Sequence, residues 1–301
     1  MKPTIKVSAW ESLLLNFSDV FTKPTAGIFS NFLTAWVLAT GRRTVCGIFW
    51  FVRDRQLRAH DAYHRFFSRA SWKTEDLWQT WAVWVVNHLT KDGVIHLILD
   101  DTVYHRTGRK VNGAGWWRDA VRSTATHVVH AWGLNLVVLA IRVDPRWGGE
   151  PIAIPVHLKV HRKGGPSLME LAIAAVNEMT RWCPLRRFSL AADGFYASLA
   201  GKGLPVRFIS RMRRDAAVFD LPPARRPHQR GATRKKGARL PTPEKMARRV
   251  RSWRHATVME RGKPRERLLC EQILIWYKVS HAPVKLVVPC SSSSGQTEVG
   301  Q

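Results

Sequence analysis

The sequence predicts an α/β protein in which a helical N-terminal region precedes a mixed sheet and a strand-rich basic segment. Three observations carry this prediction. Apolar residues recur at helical spacing in the first ninety residues, short aliphatic runs follow, and arginine and lysine then accumulate. The chain has 301 residues, 45% hydrophobic and 23% charged, and this composition excludes wholesale disorder and collagen-like repeats.

Two helices are predicted in the N-terminal region. The first covers Asn31–Ala39, because Pro24 and Gly27 punctuate the chain before it. The second begins at Thr74, a residue type that caps helix N-termini. One apolar stripe then follows at helical spacing, formed by Leu77, Trp78, Trp81, Trp84, Val85 and His88.

Strand-like runs begin after the turn at Lys91-Asp92-Gly93. The aliphatic run Val94–Leu99 is typical of a buried strand, and Thr126–Val129 and Leu134–Val143 predict two more. Proline alternates with apolar residues in Pro151–Val160, which favours a strand at the edge of the sheet.

A helix and two further strands complete the α/β pattern. Ser167 is the expected cap of a helix from Leu168 to Trp182. Phe188–Ala192 and Val206–Ile209 are predicted strands. The order of three strands, an edge segment, a helix and two more strands indicates a mixed sheet.

The composition becomes strongly basic from Arg207 to Arg267, where 20 Lys+Arg face 5 Asp+Glu. Strands are predicted here over Arg254–Val258 and Leu268–Val279, with a last one over Val284–Val288. A low-complexity serine tail follows, which has nothing to bury.

The charge of the whole chain points to a polyanionic partner. The formal net charge is +26, which opposes compaction unless an anion such as nucleic acid offsets it. No secretory signal and no run of eighteen apolar residues is recognisable. We therefore expect a soluble cytoplasmic protein that spans no membrane.

The cysteines and histidines give no recognised metal motif. The histidine pairs His157/His161 and His127/His130 fall in strand-like or loop segments, which disfavours a zinc-binding helix face. No C-x-x-C is present, which argues against a zinc module and against a disulfide framework. The four scattered cysteines are Cys46, Cys183, Cys270 and Cys290.

Asp101 and Asp193 are the strongest candidates for chemistry. Each ends an apolar run that is predicted to be a strand, and ligand sites in open α/β sheets lie beyond strand ends. Two neighbouring carboxylates favour a hard cation such as Mg²⁺, which supports phosphodiester chemistry. The alternative is that each aspartate only starts a turn or caps a helix, as Asp193-Gly194 commonly does.

Two motifs resemble those of DDE transposases carried by bacterial insertion sequences. Ile98-Leu99-Asp100-Asp101-Thr102 resembles the first acidic motif of that family, and Ala192-Asp193-Gly194-Phe195-Tyr196-Ala197 resembles the second. Gly41–Val45 and Tyr63–Ser68 are similar to its N-terminal region, and the similarity runs to about Val288.

The resemblance implies a ribonuclease H-like core whose first and fourth strands carry the two aspartates. It favours Asp101 over Asp100, and only one of the two can face a metal because side chains alternate along a strand. It further implies Mg²⁺, or Mn²⁺, at Asp101 and Asp193. The implied partner is double-stranded DNA at the element ends, held by a homodimer in a synaptic complex in the bacterial nucleoid.

Strand order, composition and the resemblance together predict a division of the chain. Residues 1–90 would form a helical domain for DNA binding and assembly, and residues 91–212 the catalytic core. Residues 213–288 would form a basic, strand-rich insertion, followed by a disordered tail over 289–301.

The sequence departs from the family pattern at the third acid. Such transposases carry a glutamate on a helix after the insertion, but Glu298 lies in the tail, and Glu260, Glu266 and Glu271 lie within the predicted insertion. We therefore expect a truncated or frameshifted copy whose final core helix is missing and whose cleavage is impaired. The alternative is that Glu271 moves into the site.

The basic segment predicts phosphate contacts, which position DNA without reading its sequence. The alternative is that the segment forms only a solvated charged face. The residues expected to carry the affinity are Arg211, Arg213, Arg214, Arg234, Lys235, Lys236, Arg248, Arg249 and Arg251.

Two other functions compete with that of an active transposase. One is a non-catalytic DNA-binding remnant that interferes with an intact transposase, and the other is a structural nucleoid-type binder.

Overall fold

The computed structural model divides the chain into two compact units, the first ending at Leu89 and the second beginning at Thr90. No helix among its described residues is long and apolar enough to cross a membrane. The residues that it describes are 8–52, 58–124, 126–225, 227–228, 230–249, 252–260 and 263–291.

The first unit is helical. The helix predicted over Asn31–Ala39 was wrong at its N-terminus, since the observed helix begins at Lys23. Pro24 is tolerated there because the first turn of a helix has no use for its missing N–H. The helices are α1 (Ala9–Leu15), α2 (Lys23–Leu38), α3 (Val45–Phe49), α4 (His60–Ser68) and α5 (Thr74–Leu89).

Aromatic side chains make the core of this unit. The Phe21 ring stacks on Phe29 with centroids 4.6 Å apart, and Phe66 stacks on Trp72 at 5.3 Å. The Trp72 indole also donates a hydrogen bond to the Phe66 carbonyl at 2.9 Å. The stretch from Tyr63 to Trp72 therefore includes core residues of this unit, and Tyr63 is itself fully buried.

The second unit is built on a six-stranded mixed sheet, as the sequence predicts. The spatial order is β2-β3-β1-β5-β6, and β4 also pairs with β3, at the predicted edge. β1 is antiparallel to β3 but parallel to β5, which is parallel to β6. The strands are β1 (Val94–His105), β2 (Gly115–Arg118), β3 (His130–Val143), β4 (Ile152–His161), β5 (Arg187–Ala192) and β6 (Arg207–Ser210).

Three strand predictions need correction in this sheet. Thr126–Val129 is not a strand, and β3 begins only at His130. β2 was not predicted, because its four residues are too few to show a pattern. β1 runs six residues beyond Leu99, since its backbone groups stay paired with β3 as far as His105.

The helix over Leu168–Trp182, α6, has the predicted bounds. The Ser167 and Glu170 side chains form a reciprocal capping box at its start, which satisfies two backbone N–H groups. Its buried face, with Ala175 and Met179 among its residues, packs on β3 and β4. A 3₁₀ helix over Phe195–Gly201 follows β5 and leads towards β6.

The basic segment folds as a second, antiparallel sheet in the order β7-β8-β9, which confirms its strand-rich character. The predicted Leu268–Val279 strand ends earlier, at Leu274. Residues 289–291 belong to β9 and not to a tail, while residues 292–301 lie outside the described residues. The elements are α7 (Pro243–Arg249), β7 (Arg254–Glu260), β8 (Lys263–Leu274) and β9 (Val284–Ser291).

Candidate active site

Asp101 lies inside β1 and not at its end, which corrects the prediction for this strand. Its backbone is paired with Val137 of β3, and its side chain is half-buried on the same face as Leu97 and Leu99. Asp100 is exposed on the other face, and its carboxylate accepts the backbone N–H of Asp101 at 2.9 Å.

Asp193 directly follows β5, and the register of the sheet brings it beside Asp101. β5 is parallel to β1, and the last residue pair between them is Ala192 with Leu99. Asp193 lies one residue beyond Ala192, and Asp101 lies two residues beyond Leu99 on β1. Asp193 Oδ1 accepts the backbone N–H groups of Phe195 at 3.0 Å and Tyr196 at 3.4 Å. Asp193 therefore does start the turn into the 3₁₀ helix, in addition to lying beside Asp101.

Tyr196 joins the two acidic positions. It is fully buried, and its hydroxyl donates a hydrogen bond to Asp101 Oδ1 at 3.0 Å. Burial, followed by the charge of Asp101, holds the pKa of Tyr196 well above its ordinary value, so this hydroxyl stays a donor. No sequence pattern predicted this contact, although Tyr196 lies in the second motif, three residues after Asp193.

Burial is the largest cause that raises the pKa of Asp101, and the negative charges of Asp100 and Asp193 add to it. The hydrogen bond from Tyr196 and the charge of His161 act in the opposite direction but do not cancel the increase. None of the described residues forms an ion pair with Asp101 or Asp193. The carboxylates thus make an acidic site whose charge the described side chains leave uncompensated.

The donor set fits a divalent metal ion. Mg²⁺ and Mn²⁺ prefer carboxylate oxygens, and Mg²⁺ is commonly held by one or two carboxylates with the remaining positions left to water or phosphate. A cation between Asp101 and Asp193 would relieve the repulsion that raises the pKa of Asp101. These two residues are the ones that would hold it.

Two polar side chains lie near the acidic pair on the same sheet and were not predicted. Asn135 of β3 is buried beside Val103, two residues along β1 from Asp101, and its Oδ1 has no hydrogen-bond partner among the described residues. Its Nδ2 lies 3.4 Å from Nδ1 of His161, the residue opposite it on β4. No periodicity or motif in the sequence marks Asn135, and His161 stood out only as one of a histidine pair, not as a neighbour of the aspartates.

The alternative third acid, Glu271, does not reach this site. It lies on β8, whose partners are β7 and β9, whereas the partners of β1 are β3 and β5. Glu271 is bound by Lys285 Nζ at 2.6 Å and by Arg254 Nη2 at 2.8 Å. These contacts, with that of Lys285 the larger, lower the pKa of Glu271.

The other glutamates considered for the third position are also accounted for. Glu260 forms ion pairs with Arg267 at 2.6 Å and Arg265 at 3.7 Å. Glu266 accepts a hydrogen bond from the Thr257 hydroxyl at 2.6 Å. Glu298 lies outside the described residues.

The structure separates the expected DNA-contact residues into groups. Arg213 is held by a bidentate pair with Asp215 at 2.9 and 2.8 Å, and Arg248 by Glu244 at 2.6 Å. Lys236 is half-buried, with its ammonium over the rings of Phe219 and Tyr277 at 4.0 and 4.3 Å. The charge of each of these three side chains already has a partner within the protein.

The remaining residues of the DNA-contact set are placed differently. Arg234, Lys235 and Arg249 are exposed and form no ion pair with a described residue. Arg211 and Arg214 are exposed and follow β6, and the Arg211 carbonyl lies within 3.3 Å of where a Cβ on Gly194 would be. Arg251 lies outside the described residues.

Comparison with known proteins assigns a family. Residues 16–265, well over half of the chain, match a family model described as DDE superfamily endonuclease. Curated proteins gave no match. The match includes both aspartates, and the mixed six-stranded sheet that carries them agrees with the ribonuclease H-like fold of such enzymes. The chain therefore belongs to the DDE superfamily endonucleases.

Proposed function

We propose that this chain is a transposase-type protein that binds the ends of an insertion sequence and holds Mg²⁺ at Asp101 and Asp193. The observation that carries the proposal is the pair of neighbouring carboxylates without an ion-pair partner among the described residues. Cleavage of a phosphodiester at the element end, followed by strand transfer, is the reaction that this site serves.

The residues of the chain supply orientation and charge. When bound, Mg²⁺ lowers the pKa of water and stabilises charge on the phosphate oxygens. Asp101 and Asp193 would hold the ion, and the parallel pairing of β1 and β5 sets the separation of these two residues. Tyr196 holds one oxygen of Asp101 by its hydrogen bond, which would leave the other oxygen available to the ion.

Cleavage by this chain is proposed to be slow. An in-line displacement supported by two ions needs oxygen ligands on both sides of the scissile phosphate. Glu271, the alternative third acid, is engaged by Arg254 and Lys285 on the neighbouring strands. With two carboxylates from the described residues, the site would hold one ion well and a second ion poorly.

The proposal also assigns roles to the parts of the chain. Residues 1–90 serve DNA binding and assembly, residues 91–212 carry the chemistry, and residues 213–288 contact the DNA backbone. Because strand transfer requires two element ends at once, two copies would join in a synaptic complex on the bacterial chromosome. Light scattering with and without end DNA tests the dimer, which should form or strengthen when DNA is added.

Nicking of a supercoiled plasmid tests the function. The plasmid carries the genomic DNA that flanks the coding sequence, so that the element ends are included. We expect slow nicking that requires Mg²⁺, is lost in Asp101→Asn and Asp193→Asn, and persists in Asp100→Asn, whose side chain lies on the other face of β1. Nicking that survives both Asp101→Asn and Asp193→Asn would contradict the proposal.

The same nicking assay tests whether Glu271 supplies the third acidic residue. Glu271→Gln should leave nicking unchanged, because this side chain is bound within the second sheet. Fast cleavage that Glu271→Gln abolishes would show that Glu271 is the third acid.

A second candidate is a non-catalytic DNA-binding protein that occupies element ends and interferes with an intact transposase. The engagement of Glu271 and Glu260 by arginine and lysine favours it, since neither is left to complete an acidic triad. Retention of end-containing DNA without any nicking would support this candidate. Equal retention of unrelated DNA would instead indicate a structural nucleoid-type binder.

A further inference from the structure

A second group of metal-binding side chains lies in the first unit. Cys46 belongs to α3, and His60 and His64 belong to α4. The two histidines are four residues apart, so their side chains lie on the same face of the helix. All three residues are exposed.

The distances among these side chains suit one ion. One ligand atom from each residue lies within 4.8 Å of the other two. Cys46 Sγ is 3.8 Å from His64 Nε2, and the rings of His60 and His64 have centroids 4.8 Å apart. Tetrahedral zinc, with Zn–S near 2.3 Å and Zn–N near 2.0–2.1 Å, separates sulfur from nitrogen by about 3.5 Å. Small side-chain rotations would therefore bring all three ligand atoms within bonding distance of one ion.

Packing between α3 and α4 holds the three ligands in place. The Phe49 ring contacts His60 at 5.0 Å and the buried Tyr63 at 5.4 Å, both edge to face. At the start of α3, the Thr44 hydroxyl accepts the Gly47 N–H at 3.1 Å. A side chain on Gly47 would collide with the Arg42 carbonyl, so this close turn requires glycine.

We propose that Cys46, His60 and His64 form a zinc site with three protein ligands and a water molecule in the fourth position. A thiolate with two imidazoles is a ligand set typical of Zn²⁺, whereas Mg²⁺ prefers oxygen. The site is thus chemically distinct from the acidic pair of β1 and β5, and its existence does not depend on the proposed function. A bound ion would link α3 to α4.

Cobalt substitution tests the site in the full-length chain. The protein is stripped with a chelator and titrated with Co²⁺, whose bond to a thiolate gives a charge-transfer absorption and whose tetrahedral site gives intense visible bands. We expect one equivalent of Co²⁺ to bind with both signatures, and one equivalent of Zn²⁺ to displace it.

Variants assign the ligands. Cys46→Ser should abolish the charge-transfer band, and His60→Ala and His64→Ala should each weaken binding by at least roughly 10-fold. Cys270→Ser and the double variant His127→Ala/His130→Ala serve as matched controls and should bind like the original chain. Asp101→Asn should also leave the signal unchanged, which separates this site from the acidic pair.

Either of two results would overturn the proposal. One is the absence of stoichiometric Co²⁺ or Zn²⁺ binding by the full-length chain. The other is a charge-transfer band that survives in Cys46→Ser. Because all three side chains are exposed, the variants should keep the helix content of the original chain, and circular dichroism checks this. Zinc should also raise the Tm of the original chain more than that of Cys46→Ser, which keeps only the acidic pair intact.

Discussion

The two sheets of the second unit differ in whether their acidic side chains have basic partners. In the three-stranded sheet, Glu271 lies between Arg254 and Lys285, and Glu260 is paired with two arginines. In the six-stranded sheet, Asp101 and Asp193 have each other as neighbours and no ion pair with a described residue. The negative charge of Glu271 and Glu260 is neutralised by side chains of the protein, whereas that of Asp101 and Asp193 would be compensated by a bound cation.

The same distinction divides the basic residues. Arg213, Arg248 and Lys236 have partners within the protein, whereas Arg234 and Lys235 are exposed without an ion pair among the described residues. Charges that are already matched contribute to the fold. Unmatched charges of either sign are the ones available for a ligand, a cation at the aspartates and phosphate at the basic residues.

Removing the unmatched cations should have its strongest effect on DNA affinity. The slope of log affinity against log salt is negative, and each DNA phosphate that the protein no longer neutralises makes it less negative by about 0.9. Neutralising the unmatched cations should therefore flatten the slope by roughly two to three units. Filter binding at several salt concentrations measures the slope. The triple variant is Arg234→Gln/Lys235→Gln/Arg249→Gln.

A matched triple variant controls for net charge. Arg213→Gln/Lys236→Gln/Arg248→Gln removes the same number of charges from positions that already have partners. Its slope should change by less than about one unit. An equal change in the two triple variants would contradict the distinction between matched and unmatched cations. No change in the first would show that these residues form only a solvated face.

The next effect is on stability, and it should have opposite signs in the two sheets. With a chelator present at neutral pH, Asp101→Asn should raise the Tm of the second unit by roughly 3–6 °C, because ionised Asp101 is half-buried beside like charges. Asparagine keeps the acceptor for Tyr196. Glu271→Gln should lower the Tm, since it loses two ion pairs. Differential scanning calorimetry measures both.

The pH dependence of these two variants should also differ. The pKa of Asp101 is raised, so its stabilising contribution is present below its usual pKa and is lost as pH rises through the raised value. The pKa of Glu271 is lowered, so its contribution is present above its usual pKa and is lost as pH falls through the lowered value. The advantage of Asp101→Asn should therefore grow with pH, and an advantage that shrinks would contradict the account.

The smallest expected effect concerns Tyr196. Tyr196→Phe removes one hydrogen bond to Asp101 and should cost about 1 kcal/mol of folding free energy. Because that bond lowers the pKa of Asp101, its loss should move the pH midpoint of Mn²⁺ binding upward. Urea unfolding and a pH series of Mn²⁺ titrations measure the two effects. An unchanged midpoint would mean that Tyr196 does not act on the site.

The sequence predicted what depends on local patterns. Ser167 predicted the start of α6, because a helix cap bonds only to residues within the next turn, and the structure adds Glu170 as its capping-box partner. Asp101 and Asp193 stand out because each follows an aliphatic run. The full length of β1 was not predicted, since its last six residues are held in the strand by pairing with β3.

The contacts that complete both candidate sites are long-range. Tyr196 reaches Asp101 across 95 residues, and Cys46 meets His64 across 18, so no local spacing reveals them. Whether a charged side chain has a partner within the protein likewise depends on the tertiary structure. Lys236 belongs to a basic run in the sequence, and only the fold shows that two aromatic rings engage it.

Mn²⁺ binding measured by electron paramagnetic resonance decides whether Asp101 and Asp193 share a metal ion, because free Mn²⁺ gives a signal that is lost on binding. The original chain should bind one ion tightly, and Asp101→Asn and Asp193→Asn should each weaken that binding by at least roughly 10-fold. Glu271→Gln should bind as the original chain does, since that carboxylate is already paired. Unchanged Mn²⁺ affinity in both aspartate variants would contradict the claim that the two acids share a metal ion.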